Sequence, residues 1–242
     1  MYLLIRLCLL FFIFINYNKC LCNTDSFIIP FSTFSAEFER ESLENGSLLK
    51  TKGSVYFSAT SVYIEVSEPL KQIVKIDSNL MVLYYPDEKK GLKISSEVPF
   101  TIPIISPFLS ALRPDFGLQF LGFSMKDYQL IGDTLLTKWE PIKMDSELHE
   151  KFTLKTIKNR LISVVIQDKE TERTIKKMLF DNHILIEKES WIPRSVTIYD
   201  GENNINYIEK IILYKQMFNK IIPDSIQNFK IPDGTDIQES KW

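Results

Sequence analysis

The most regular patterning in the chain lies between Gly53 and Pro86. Val62, Ile64 and Val66 alternate with Tyr63, Glu65 and Ser67, so a strand there carries one apolar face and one mixed face. The same reading predicts strands over residues 53–57, 72–76 and 80–85. Glu68-Pro69 and Asp77-Ser78-Asn79 supply turn chemistry between them, and Pro86-Asp87 ends the last strand. Antiparallel neighbours patterned this way build a sheet with one greasy and one wet face. No residue in this stretch is suited to covalent chemistry. The greasy face is itself the candidate for function, as a surface that holds a lipid.

Upstream, Phe34, Ala36 and Phe38 alternate with polar residues. The spacing of Phe31, Phe34 and Phe38 also suits a helix face, but Asn45-Gly46 then makes a turn into Leu48-Leu49, which favours a first strand. Residues 87–91 read as a charged turn. The stretch 98–123 differs from the rest, with Pro99, Pro103, Pro107 and Pro114 separated by apolar residues. Prolines at this density forbid a long helix or a central strand, and they suit short helices that each begin at a proline. Such a segment either covers the open mouth of a sheet or plugs its core. Strands resume over 128–131, 135–140, 152–157, 161–167, 174–181, 183–189, 195–199 and 206–214, with turn residues such as Gly132-Asp133, Asn159-Arg160 and Asn203-Asn204 between them. Many short strands without long interleaved helices predict a mainly β chain with short helices, of the α+β class. Its single antiparallel sheet curls toward a barrel. No repeat, linker or second-domain boundary interrupts residues 23–242.

Composition narrows the picture at the front of the chain. Arg6 followed by the unbroken apolar run 7–15 and by Cys20-Leu21-Cys22 before Asn23 reads as a cleavable secretory signal, residues 1–22. The run is short for a permanent membrane span. All three cysteines lie in that segment, so the mature protein has no thiol chemistry. Lys19 and Leu21 precede the two candidate cysteines where a lipidation signal needs a small residue, which argues against lipidation of the protein itself. The formal net charge is −2, and loss of Arg6 and Lys19 with the signal leaves about −4. A mildly acidic chain without a basic cluster argues against a nucleic-acid partner.

The search for catalytic groups finds nothing specific. His149 stands beside Glu150 but has no second histidine four residues on, so the zinc-hydrolase pattern fails. His183 follows Asp181-Asn182 and reads as a solvated loop histidine. No metal site and no cofactor are expected, and no nucleophile elbow or phosphate loop is present. Aromatic residues are abundant instead. Large flat side chains in a curled sheet ordinarily make core; in a sheet that curls without closing, they would line a concave apolar site.

Three stretches resemble the family of periplasmic outer-membrane lipoprotein carriers, LolA and its relatives. Phe34-Ser35-Ala36-Glu37-Phe38-Glu39-Arg40 is similar to the family's F-x-A-x-F-x-Q first strand. Glu68-Pro69-Leu70-Lys71-Gln72-Ile73-Val74, followed by Val82-Leu83-Tyr84-Tyr85-Pro86, is similar to its P-x-x-Q-x-x-V and W-x-Y-x-P strands. The stretch 222–237 resembles its closing F-x-(I/P)-P-x-G-x-D-V pattern. The resemblance implies a half-open β-barrel with short helices as a lid, and an apolar cavity for lipoprotein acyl chains. It also implies a donor in the inner-membrane lipoprotein-releasing transporter and an acceptor at the outer membrane. Two features depart from the family: little room for a helix before the first strand, and no arginine in the second sheet strand to tie the lid shut. Tyr63 occupies the matching position and is the latch this sequence offers.

The reading is therefore a monomeric, non-enzymatic periplasmic carrier that binds acylated lipoproteins. Its expected cavity walls are Val55, Phe57, Val62, Ile64, Val66, Val82, Tyr84 and Trp139, and its lid residues are Phe116, Leu118, Phe120 and Leu121. Facing is taken from alternation, so a one-residue slip inverts it. The alternatives are a lipid- or lipoprotein-sensing regulatory domain of the same fold, and a hydrolase or polysaccharide-binding β protein with a polar cleft.

Overall fold

A computed structural model describes residues 29–241, apart from 45, 99, 101, 103, 143–148, 188–189 and 202–206. The expected signal segment and the predicted turn at Asn203-Asn204 lie outside the described residues. The chain opens with an antiparallel meander of β1 (Thr33–Glu44), β2 (Ser47–Ser58), β3 (Ser61–Glu68), β4 (Gln72–Asp77), β5 (Leu80–Tyr85) and β6 (Lys90–Ser95). A second meander follows, of β7 (Phe123–Ile131), β8 (Thr134–Pro141), β9 (Glu150–Ile157), β10 (Arg160–Asp168) and β11 (Thr174–Asp181). The small hairpin β12 (Ile184–Glu187) and β13 (Ser190–Ile192) forms a second, two-stranded sheet whose Ile192 is buried in the same core. Strands β14 (Ser195–Asp200) and β15 (Tyr207–Phe218) splice the meanders together, through β11 on one side and β1 on the other. Finally β16 (Asp236–Lys241) adds to β6 in parallel, giving a 14-stranded sheet that curls but does not close.

This topology dictates two long crossings. The chain leaves β6 near one edge of the sheet and must reach β7 at the other, so residues 96–122 traverse a whole face. Their apolar side chains settle that it is the inner one. Ile104, Ile105, Phe108 and Leu118 are fully buried in one cluster with Phe34, Ile64, Leu154 and Phe180 of the strands. The crossing contains the short helix α1 (Ser106–Ser110), with Pro107 in its first turn, where a missing N–H costs nothing. Beyond it, residues 111–122 run as successive turns, with Phe116, Gly117 and Gly122 at positive φ. Of the helices predicted to start at prolines, the described residues hold one, at Pro107; Pro114 sits within turns, and Pro99 and Pro103 lie outside the described residues.

A second strap crosses the outer face. Residues 219–235 run from β15, in the middle of the sheet, to the far edge, and include the short helix α2 (Asp224–Gln227). Phe229 lies on Tyr63 and Tyr84, ring centroids 5.5 and 6.3 Å apart, and Lys75 Nζ donates to the Gln227 carbonyl at 3.1 Å.

The predicted strands between residues 53 and 85 are all present, and 174–181 is matched end to end. The single strand predicted over 183–189 is instead β12, which turns back into β13. Besides β13, two strands were not predicted, β6 and β16. The charged turn expected over 87–91 ends in β6, because Gly91 is buried under Ile231 of the outer strap and lets the chain continue in extended form. The residues of β16 are all exposed and lack any apolar alternation. Only its parallel pairing to β6 makes it a strand.

Candidate functional site

Cross-strand partners share a face, so the register maps the inner surface. One row runs Ala36, Val55, Ile64, Val74, Leu83, Leu92 across six strands. The next runs Phe34, Phe57, Val62, Ile76, Met81, Ile94. Both rows are wholly apolar, which β-branched and aromatic residues on a pleated surface make possible. The second meander continues the surface with Val164, Leu154 and Thr137, and with Ile166, Phe152 and Trp139. Phe123 closes on Phe152 in an edge-to-face contact at 4.9 Å.

Six of the eight expected wall residues lie on this inner face: Val55, Phe57, Val62, Ile64, Val66 and Trp139. Val82 and Tyr84 do not. In β5 it is Leu83 that stands opposite Val74, so its neighbours on either side face outward, and Tyr84 packs under Phe229. Tyr63 also faces outward, beneath Phe229, so it touches the outer strap and not the inner one. Burial, with Glu65 and Tyr56 nearby, pushes its hydroxyl up to about 12. Of the four residues expected on a lid, Leu118 is fully buried and Phe116 stacks edge-on to Phe180 at 5.9 Å. Phe120 and Leu121, at 51% and 45% exposure, look toward solvent.

The inner rows are occupied in this structure by the strap itself. Two shallow depressions lie elsewhere. One, of about 200 Å³, sits between the outer strap and β2–β3, lined by Tyr56, Tyr63, Ile222 and Ile226. The other, of about 360 Å³, lies among the outward side chains of Lys138, Glu140, Lys151 and Glu172.

The inner face also holds a polar group that the sequence reading missed. Arg40 Nε donates to the Glu209 carboxylate, Arg40 Nη2 donates to the Tyr207 hydroxyl at 3.3 Å, and that hydroxyl donates to Glu209 at 2.6 Å. Burial by itself would lower the pKa of Arg40, but the adjacent Glu209 carboxylate outweighs it and the guanidinium is held above its ordinary range. Burial, and then Glu209, push the Tyr207 hydroxyl strongly up. Next to this set, Lys176 pairs with Asp200 at 3.3 Å. Period-two counting from Phe38 to Arg40, and from Leu213 back to Glu209, was the available signal. His183 is likewise not solvated as expected. It is half-buried, its Nε2 is 2.8 Å from the Leu161 carbonyl, and burial lowers its pKa.

No family model matches the chain, and no curated protein matches it. Solved structures do. A DUF1329 family protein from Desulfovibrio piger superposes with a TM-score of 0.52 at 15% identity, over 81% of this chain and 89% of that one. A LolA superfamily protein from Nitrosomonas europaea gives 0.50 at 12% identity, over 82% and 90%. The fold is LolA-like. An outer membrane lipoprotein-sorting protein domain from Vibrio parahaemolyticus gives 0.52 at 12% identity, over 81% and 90%. At these identities the likeness is one of fold, and it covers both meanders, not one half of the sheet. A fold is a scaffold that hosts different functions, so the function is argued from the side chains this chain places on it.

Proposed function

We propose that this protein is a non-enzymatic periplasmic carrier that holds the acyl chains of lipoproteins on the inner face of its LolA-like sheet. One observation carries the reading: the apolar rows of β1–β6 are covered by a strap anchored at opposite edges of the sheet, not by a second sheet. Each acyl CH₂ buried gains about 0.8 kcal/mol, so a free lipid anchor does not cross water unaided. A carrier has to supply comparable apolar surface and then release it. A strap of short turns meets that need, because its own apolar residues cover the rows when no cargo is bound and move off when acyl chains compete for them. In this reading Val55, Phe57, Val62, Ile64, Val66 and Trp139 form the wall, and Leu118 and Phe116 are the residues displaced. The donor would be an inner-membrane lipoprotein-releasing transporter, and the acceptor would lie at the outer membrane.

Hydrogen exchange with and without a diacylated lipopeptide tests this. Binding should raise exchange in residues 104–118 while protecting β2 and β3. Protection confined to the outer strap, or no change anywhere, would contradict it.

A further inference from the structure

The inner strap enters β7 at Phe123, beside the buried Trp139, and the far end of the β7–β8 hairpin is exposed. Tyr128 and Leu130 are each 68% exposed and Ile131 is 58% exposed; Met125 and Leu135 are exposed too. Leu130 pairs with Leu135 on the inner face, whereas Ile131 belongs to the opposite face, so the hairpin tip is apolar on both sides. A protein partner docking on one face would leave the other side's apolar residue in water. A surrounding hydrocarbon phase would cover both.

The free edge of the sheet, β7, argues the same way. A bulge between Met125 and Asp127 interrupts its ladder, and Lys126 and Asp127 are exposed at mid-strand. Bulges and charges are the devices by which edge strands resist pairing with another strand. The strand is thus guarded against a second copy of the chain, while the tip beyond it remains greasy. The flanking charge is complementary to an anionic lipid surface. Lys126, Lys138, Lys155 and Lys158 lie on and beside the hairpin against Asp127, Asp133 and Glu140, a local excess of one positive charge in a chain whose net charge is −2.

We infer that the β7–β8 tip is a membrane-docking element that inserts Tyr128, Leu130 and Ile131 into the interfacial zone of an anionic bilayer, with the neighbouring lysines at the headgroups. This goes beyond the carrier reading and does not depend on it.

The test uses the protein in the form the cell exports, mixed with vesicles of phosphatidylethanolamine and phosphatidylglycerol, or of phosphatidylcholine alone. In an Ile131→Trp variant, the added emission should shift to the blue on the anionic vesicles and be quenched by brominated acyl chains, above the background of the unsubstituted protein. Leu130→Asp should weaken vesicle binding about tenfold. Lys155→Gln with Lys158→Gln should weaken it on anionic vesicles only. Thermal melts matching the parent would show that these exposed substitutions leave the fold intact. Emission at position 131 that stays unshifted and unquenched would overturn the inference. So would a dimer in sedimentation that Leu130→Asp abolishes, because the tip would then be an interface between copies.

Discussion

Arg40 and Glu209 form an ion pair at the polar end of a largely apolar face, and their value to the fold is asymmetric. Removing one partner leaves the other buried and uncompensated, a cost of about 3–5 kcal/mol, whereas replacing both with apolar residues of similar volume is near neutral. Glu209→Ala should therefore lower stability in urea by that amount, and Arg40→Met with Glu209→Leu should restore most of it. Gly53 is a second sensitive residue. A Cβ there would come within 2.1 Å of the Glu65 carbonyl oxygen and 3.0 Å of Phe38, so Gly53→Ala should cost about 1–3 kcal/mol in the same measurement. His183 gives a pH dependence. Its folded pKa lies below its ordinary value of 6.5, mainly because it is buried, so the folded state resists protonation more than the unfolded chain does. Its stabilising contribution is complete above pH 6.5 and is lost as pH falls through the lowered folded value. His183→Gln should flatten the decline in stability over that acid window.

Among the elements, the straps are where sequence and structure part company. Alternation made β3 and its neighbours β2 and β4 legible, because a period of two is visible in a strand that has one buried face, whereas β5 was legible only as an apolar run between turns. It could not fix which residues of β5 face inward. Leu80–Tyr85 is LMVLYY, apolar at every position, so only the pairing of Leu83 with Val74 decides that Val82 and Tyr84 look outward. The inner strap was legible as a proline-rich apolar segment, but its path was not, because that path follows from the order of strands at the two edges. The outer strap was visible only as a closing motif. Its packing on Tyr63 and Tyr84 predicts that Phe229→Ala costs about 2 kcal/mol, less than for a fully buried ring. The variant should also be cleaved faster by protease between residues 219 and 235, with the rest of the sheet intact.

At the scale of the whole molecule, one long sheet is sandwiched between two segments of its own chain. Both cross it because of where its strands begin and end. Phe229 fixes the outer strap to aromatic side chains and β16 ties its end into the sheet edge. The inner strap spans edge to edge and seats Ile104, Ile105, Phe108 and Leu118 in the core, so in the carrier reading these are the side chains an acyl chain has to displace. Native mass spectrometry of the protein with a triacylated lipoprotein is the most direct test of that account. A one-to-one complex that does not form with the deacylated lipoprotein, and that weakens when Val66 on the inner wall is replaced by Thr, is the predicted result. Equal binding of both forms, or no complex at all, would contradict the carrier reading.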